Sequence, residues 1–313
     1  MGHRYPERMP EWSAELAVDS ALATALIAEQ MPGLAGAPLR PLATGWDNTV
    51  FEVAGQWAFR FPRRAVAVPG LEREIELLGP LAARLELPIP VPAWVGHPSP
   101  SLGYPWPFFG APLLAGREVA DADPTDAERG SAARPLARFL RALHGPNLLA
   151  ALGTRLPVDP VRRADMSFRV PRTRERLAEL AAQALWEPPG SVRELLDAAE
   201  RLPGLPATAV VHGDLHIRHL LLGAGGRIAG VIDWGDLALA DPSVDLVLYW
   251  SFLPPGAREA FAEEYGTPTG SMLLRSRVLS LFLCATLAIY AAHEGHAALL
   301  GESVAGLERT VAG

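Results

Sequence analysis

Two short apolar runs, each bounded by acids and separated by a glycine pair, restrict this chain more than any other feature. The stretch reads His212-Gly213-Asp214-Leu215-His216-Ile217-Arg218-His219. A brief apolar hairpin with Gly225-Gly226 at its turn follows, and then Ile232-Asp233-Trp234-Gly235-Asp236. Antiparallel pairing across the glycine turn brings Asp214, His219 and Asp233 to one edge of a small ribbon. Taken singly, His212 and Asp214 make an ordinary polar turn, and Asp233 merely ends a strand. Joined to Asp241-Pro242-Ser243-Val244-Asp245 just downstream, the set is hard to attribute to chance.

These residue types at this spacing suit phosphoryl transfer, which asks the protein mainly for positioning and charge neutralisation. Asp214 is placed to orient an acceptor hydroxyl and take its proton. Asp233, nineteen residues on, offers the hard oxygen ligand that Mg²⁺ prefers. His219, five residues after Asp214, can coordinate or hydrogen-bond as a neutral imidazole, although it is a softer ligand than Mg²⁺ usually takes. Arg218 is expected to meet phosphate or to pair with Asp236.

The segment resembles the aminoglycoside phosphotransferase-like kinases, and more narrowly the macrolide 2′-phosphotransferases, in which a His stands where the wider family has Asn. The likeness runs over about residues 39–249 and is strongest over 212–245. It implies an α+β, bilobal, protein-kinase-like fold with a small β-rich N-lobe carrying one helix and a larger, mainly helical C-lobe. It implies Asp214 as catalytic base, His219 and Asp233 as Mg²⁺ ligands, and Asp245 as a buried acid bracing the catalytic loop through backbone hydrogen bonds. GTP or ATP is the implied phosphate donor; the residues do not decide the purine.

The N-terminal third carries weaker signals of the same kind. Thr44-Gly45-Trp46-Asp47-Asn48 reads as a turn between strands whose backbone N–H groups can cover phosphates, with Gly45 and Asn48 as the candidates. An ordinary hairpin is the competing account. Arg60, in the alternating run Gln56-Trp57-Ala58-Phe59-Arg60-Phe61-Pro62, stands where the resembled kinases place a phosphate-binding Lys; otherwise it is an exposed strand charge. Glu74, within a helical stretch over 71–78, matches the acid that pairs with that cation, while Glu72 and Glu76 face solvent. In the proline-rich run ending at Gly116, Pro112 is expected to supply a carbonyl and Leu114 an N–H to the purine edge, unless the run is a surface loop.

With 313 residues and 49% hydrophobic content the chain can bury a large core. We expect a nucleotide-binding lobe over 1–115 with an N-terminal helical arm, including a helix near Ser20–Gln30, and a helical lobe over 116–313. A helix is expected from Asp123-Pro124-Thr125 to Leu143, stopped at Gly145. A net charge of −7 without a basic block disfavours nucleic acid. The arginine-rich stretch 162–183 reads as a solvated helix face, with Met166 and Phe168 as candidate acceptor contacts. Cys284 is the lone cysteine, expected in the core, which leaves no intrachain disulfide. Met1-Gly2-His3-Arg4-Tyr5-Pro6 has no apolar signal core, so a cytoplasmic enzyme is expected; a monomer is expected as well. Residues 278–292 form a 15-residue apolar run, short of the roughly 20 that a bilayer crossing needs, so no membrane partner is expected.

The expected acceptor is a small hydroxylated molecule. Macrolides need an apolar wall with one or two acids, and aminoglycosides need many carboxylates. The apolar residues Phe252, Leu253, Met272, Leu273, Leu274, Phe282 and Tyr290 outnumber Asp236, Glu259, Glu263 and Glu264 in the C-terminal third, which leans towards a macrolide 2′-hydroxyl. A kinase of another small alcohol, or a nucleotide-binding module without transfer, stays open.

Overall fold

The computed structural model describes residues 14–313, so the opening Met1-Gly2-His3-Arg4-Tyr5-Pro6 and the first part of the expected arm lie outside it. Two compact units divide the chain. One comprises the residues up to Gly79 together with Pro90–Leu113; the other comprises Pro80–Ile89 and Leu114–Gly313. The architecture is α+β and bilobal.

In the first unit helix α1 (Ser20–Gln30) begins where the Asp19 carboxylate accepts the Leu22 N–H at 2.8 Å, satisfying an otherwise orphaned donor. Strands β1 (Leu39–Thr44), β2 (Asn48–Val53) and β3 (Trp57–Pro62) follow, then helix α2 (Val68–Ala82), β4 (Trp94–Gly96) and β5 (Phe108–Pro112). The antiparallel sheet has the order β1-β2-β3-β5-β4. Alternation along β3 sends Phe59 and Phe61 into an aromatic core with Phe51, Tyr104 and Phe108, and turns Arg60 to the opposite face. Gly110 is required where Phe59 crosses β5, since a Cβ there would lie 2.5 Å from the ring. On α2, Leu71, Glu74, Leu77 and Leu78 are buried while Glu72 and Glu76 are exposed, which is the helical period at work.

The second unit contains β6 (Arg117–Glu118), α3 (Val119–Ala122), α4 (Asp126–Ser131), α5 (Ala133–Leu143), α6 (Pro146–Leu152), α7 (Met166–Ala182) and α8 (Gly190–Glu200). Next come β7 (Ala209–Val211), β8 (Leu220–Leu222), β9 (Ile228–Val231) and β10 (Ala238–Ala240), then α9 (Val247–Ser251), α10 (Arg258–Tyr265), α11 (Gly270–Glu294) and α12 (Ala297–Ala312). The strands form a three-stranded sheet β6-β8-β9 and a separate β7–β10 pair. Where one helix was expected from Asp123 to Leu143, a Thr125–Glu128 capping box starts α4, and the helix is interrupted at Ala132, itself in the helical region, before α5. Helix α11 spans 25 residues, so the length argument against a membrane span fails. By length and composition it is long and apolar enough to cross a bilayer, but 56% of its most apolar stretch is buried. It packs on α7 and α12, where Val170, Leu177, Leu180, Val278, Leu281, Ala285, Ala288 and Leu307 share one cluster with Cys284.

Candidate active site

The β8–β9 hairpin pairs Leu220 with Val231 and Leu221 with Gly230, around a turn in which Gly225 and Gly226 take φ of +66° and +72°. The ladder continues through the Ile232 N–H donated to the His219 carbonyl at 3.0 Å, which sets the two chain ends side by side. His219 Nε2 lies 3.4 Å from Asp233 Oδ2, and His219 Nδ1 lies 3.7 Å from Asp214 Oδ2. Asp214, His219 and Asp233 therefore meet at one edge. His216 joins them, its Nε2 3.5 Å from Asp214 Oδ2 and its ring stacked on His219 at 3.9 Å. Asp214, His216 and His219 each offer one ligand atom within 4.8 Å of the others.

Hydrogen bonds assign the proton positions on these rings. His219 Nδ1–H donates to the Asp214 carbonyl at 2.7 Å, which leaves the lone pair on Nε2 facing Asp233. A ring nitrogen tied back to a carbonyl is the usual posture of a metal-ligating imidazole. Burial, helped by His216, holds His219 below its usual range, so the ring is neutral. One imidazole and one carboxylate at this separation fit a divalent cation. His216 Nδ1 accepts the Arg218 N–H at 3.3 Å, so its Nε2–H points to Asp214.

The loop that carries Asp214 is held from beneath. Asp245, wholly buried, accepts the His212 N–H at 2.7 Å on one oxygen and the Gly213 N–H at 2.9 Å on the other. His144 Nε2 reaches the same carboxylate at 3.1 Å, while its Nδ1 pairs with the Tyr265 hydroxyl at 2.8 Å. His212 Nε2–H donates to the Ile232 carbonyl at 3.0 Å, tying loop to hairpin, and burial keeps that ring below its usual range. Gly213 has φ +89°, and a Cβ there would come 2.3 Å from the Asp236 carbonyl oxygen. Asp233 itself sits at φ +65°, a conformation that costs an L-residue free energy.

A residue the sequence did not single out adds a guanidinium to the site. The Arg163 guanidinium lies 3.0 Å from Asp236 and 3.7 Å from Asp214. Burial pushes the Asp214 carboxyl up, but His216, His219 and Arg163 together outweigh it and hold the group well below the ordinary carboxylate range. Asp236 moves the other way: burial, with Asp214 and Asp233 nearby, raises it despite Arg163. Arg163 was hidden among several arginines on a stretch read as a solvated face. Two of its neighbours, Arg162 and Arg174, do pair on that face, with Asp165 and Asp197, whereas Arg169 is buried over the Phe282 ring at 4.4 Å. Arg218 meets Glu118 at 3.0 Å rather than Asp236, because Arg163 already occupies that acid. Met166 is 1% exposed in the α7–α11 core and so faces no acceptor, and Phe252 and Leu253 are likewise fully buried. Phe168 is half-buried, with the Arg172 guanidinium 3.5 Å over its ring.

In the first unit Arg60 Nη1 donates to Glu74 Oε1 at 3.0 Å, and Glu74 is fully buried. With the Asn48 amide turned so that its oxygen faces Arg60, that oxygen accepts from Nε at 3.1 Å and Nη2 at 2.9 Å. The Gly45 N–H donates to the Asn48 carbonyl at 2.9 Å, closing the turn, and Arg63 Nη1 donates to the Gly45 carbonyl at 2.8 Å. At the end of β5 the Leu113 N–H is donated to the Gln56 carbonyl, so strand alternation turns the Pro112 carbonyl away from β3. Leu114 lies in the second unit, its side chain over Gly230, where a Cβ would approach it to 2.6 Å.

Residues 38–277 match the family described as "Phosphotransferase enzyme family". The uncharacterized protein YcbJ of Bacillus subtilis (strain 168) is 31% identical over 226 residues, 68% of this chain and 69% of the relative. Among solved structures, the GDP and kanamycin complex of APH(2")-IIIa is similar with a TM-score of 0.67 and 22% identity, over 93% of this chain and 98% of that one. The macrolide 2'-phosphotransferase MphH from Brachybacterium faecium is similar with a TM-score of 0.57 and 25% identity, over 91% and 97%. A carboxylate held ionised beside an imidazole–carboxylate pair is thus found within a fold and a sequence shared along most of the chain with enzymes of one kind, and the protein belongs to the phosphotransferase enzyme family as a small-molecule kinase.

Proposed function

We propose that the enzyme moves the γ-phosphate of GTP or ATP to a hydroxyl of a small molecule, the 2′-hydroxyl of a macrolide foremost. The observation that carries the reading is Asp214, ionised and fixed by His216 and Arg163, beside the pair His219 Nε2–Asp233 Oδ2 at 3.4 Å. Asp214 orients the acceptor hydroxyl and takes its proton. His219 and Asp233 hold Mg²⁺, which when bound neutralises charge on the nucleotide's phosphates. Arg60, held by Glu74, offers a cation for phosphate, and the turn of Gly45 and Asn48 offers a cover for it, with the Gly45 N–H itself spent on the Asn48 carbonyl. The Pro112 carbonyl and the Leu114 N–H serve the purine edge. The first unit takes the nucleotide and the second the acceptor, in a cytoplasmic monomer. His219 in place of Asn, as in the macrolide group, supports the choice of acceptor.

The test incubates the protein with Mg²⁺, GTP or ATP, and panels of macrolides, aminoglycosides and simpler amino alcohols or sugars, with the mass gain of one phosphate as readout. Product with macrolides supports the proposal. Product only with the other alcohols moves the acceptor class, and nucleotide-dependent stabilisation without any product makes the chain a binding module. Asp214→Ala should cost on the order of 10²–10⁴ in kcat while nucleotide affinity is kept; undiminished turnover would remove Asp214 as the base. Asp233→Ala should instead weaken binding of the Mg²⁺–nucleotide.

A further inference from the structure

The carboxylates of Asp214 and Asp236 are already engaged, and Arg163 is the residue they share. Its side chain, 16% exposed, reaches Asp236 at 3.0 Å and Asp214 at 3.7 Å. Asp159, whose charge also acts on Arg163, spends both oxygens on the Arg163 and Ala164 N–H groups, at 2.8 and 2.9 Å. Asp165 accepts the Ser167 N–H at 3.0 Å and pairs with Arg162. A second guanidinium, that of Arg169, is buried close by over Phe282.

The placement of Arg163 is built into the loop over residues 157–165. The Asp159 N–H donates to the Leu239 carbonyl and the Leu239 N–H to the Pro157 carbonyl, both at 2.8 Å, so the loop is laced to β10. The buried Arg275 donates to the Ala164 carbonyl at 3.0 Å. Asp159 and Arg162 both take positive φ, +24° and +54°, strained values that persist only where the surroundings over-determine them. The chain thus holds a costly conformation that delivers one guanidinium between two acids.

A polyammonium sugar binds through carboxylates that are free to accept its N–H groups. At this site such a ligand must displace Arg163 from Asp236 or bear its positive charge at close range. We propose that Arg163 is a specificity-determining residue that closes the acceptor subsite beside Asp214 to polycations, so that the hydroxyl arrives on a neutral or singly charged molecule. The inference deepens the proposed function and rests on the assignment of Asp214 as the base.

Calorimetric titration of the full chain with kanamycin, a polyammonium sugar, tests it without any turnover. Wild type and Arg163→Lys should bind weakly. Arg163→Ala should bind at least about tenfold tighter, a gain that shrinks as salt is raised. Adding Asp236→Asn to Arg163→Ala should abolish the gain. Arg163→Gln, which keeps bulk and hydrogen-bonding capacity but loses the charge, should behave as the alanine variant does and covers the case in which that variant fails to fold. Wild-type affinity equal to that of the charge-deleted variants, or a gain that survives Asp236→Asn, overturns the proposal. Because only binding is read, the titration decides the role of Arg163 even for a protein that phosphorylates no compound at all.

Discussion

Gly213 ties the seat of Asp214 to a single hydrogen atom. Replacing it with Ala brings a Cβ to 2.3 Å from the Asp236 carbonyl oxygen at a φ of +89°, so the loop between His212 and Asp214 must move. Gly213→Ala should destabilise the protein by about 2 kcal/mol or more and cut kcat on the order of 100-fold, read by urea unfolding and by product mass. A variant with wild-type turnover would show that Asp214 needs no such exact seat. Cys284 gives a second test. Burial pushes its thiol up to about 12 from an ordinary 9. The folded state therefore keeps its proton where the unfolded state loses it, so the contribution to stability is constant below about pH 9 and is lost as pH rises towards 12. At pH 8 a thiol reagent should label the protein only at its unfolding rate; immediate labelling contradicts the buried placement. Asp214, His219 and Asp233 were legible in sequence because one short hairpin brings them together. Arg163 was not, because its position depends on Leu239 and Arg275, which lie about 75 and 110 residues away in the chain.

Local signals are read well only while the interactions that decide an element stay local. The capping Asp19 before α1 and the alternation of β3 are of that kind, and both elements lie where the pattern puts them. The interruption at Ala132 and the full length of α11 are not. The first eight residues of α11 include Arg275 and Ser276, polar types that ordinarily end an apolar run but are buried here. Arg275 donates to the carbonyls of Ala164 and Pro203, and Ser276 accepts the Trp250 indole N–H at 2.8 Å. The loop over 157–165 gives the element its own test. Asp159→Ala leaves the N–H groups of Arg163 and Ala164 without their carboxylate and should cost about 2 kcal/mol by urea unfolding. Its kcat should fall with it, since Arg163 loses its fixed backbone. Unchanged turnover would mean that the loop does not set the position of Arg163.

At the scale of the whole chain, one buried ion pair in the second unit joins segments 173 residues apart. Arg129 on α4 meets Glu302 on α12 through two parallel bonds of 2.9 and 2.7 Å, and Arg309 adds a third contact at 2.6 Å. Removing Glu302 strands two guanidinium groups in a place where Arg129 is 4% exposed. Glu302→Ala should cost about 3–5 kcal/mol, and Arg129→Met, which removes a charge rather than its partner, should leave Arg309 to hold Glu302 and cost less. Equal losses would argue that packing rather than charge joins α4 to α12. No sequence pattern announces such a pair, since neither residue lies near the other in the chain and each alone reads as a helix-surface charge. The same limit applied to Pro88, whose carbonyl accepts the Val231 N–H at 3.0 Å and ties 80–89 to the second unit.

The left-handed backbone at Asp233 carries an evolutionary corollary. Asn and Gly occupy that region at lower cost than Asp with its charge beside that of Asp236, so drift at this codon should be downhill for folding. A descendant no longer selected to transfer phosphate should shed the acid early and gain robustness as it does so. Across relatives, an aspartate kept in this posture would report selection on what the side chain does.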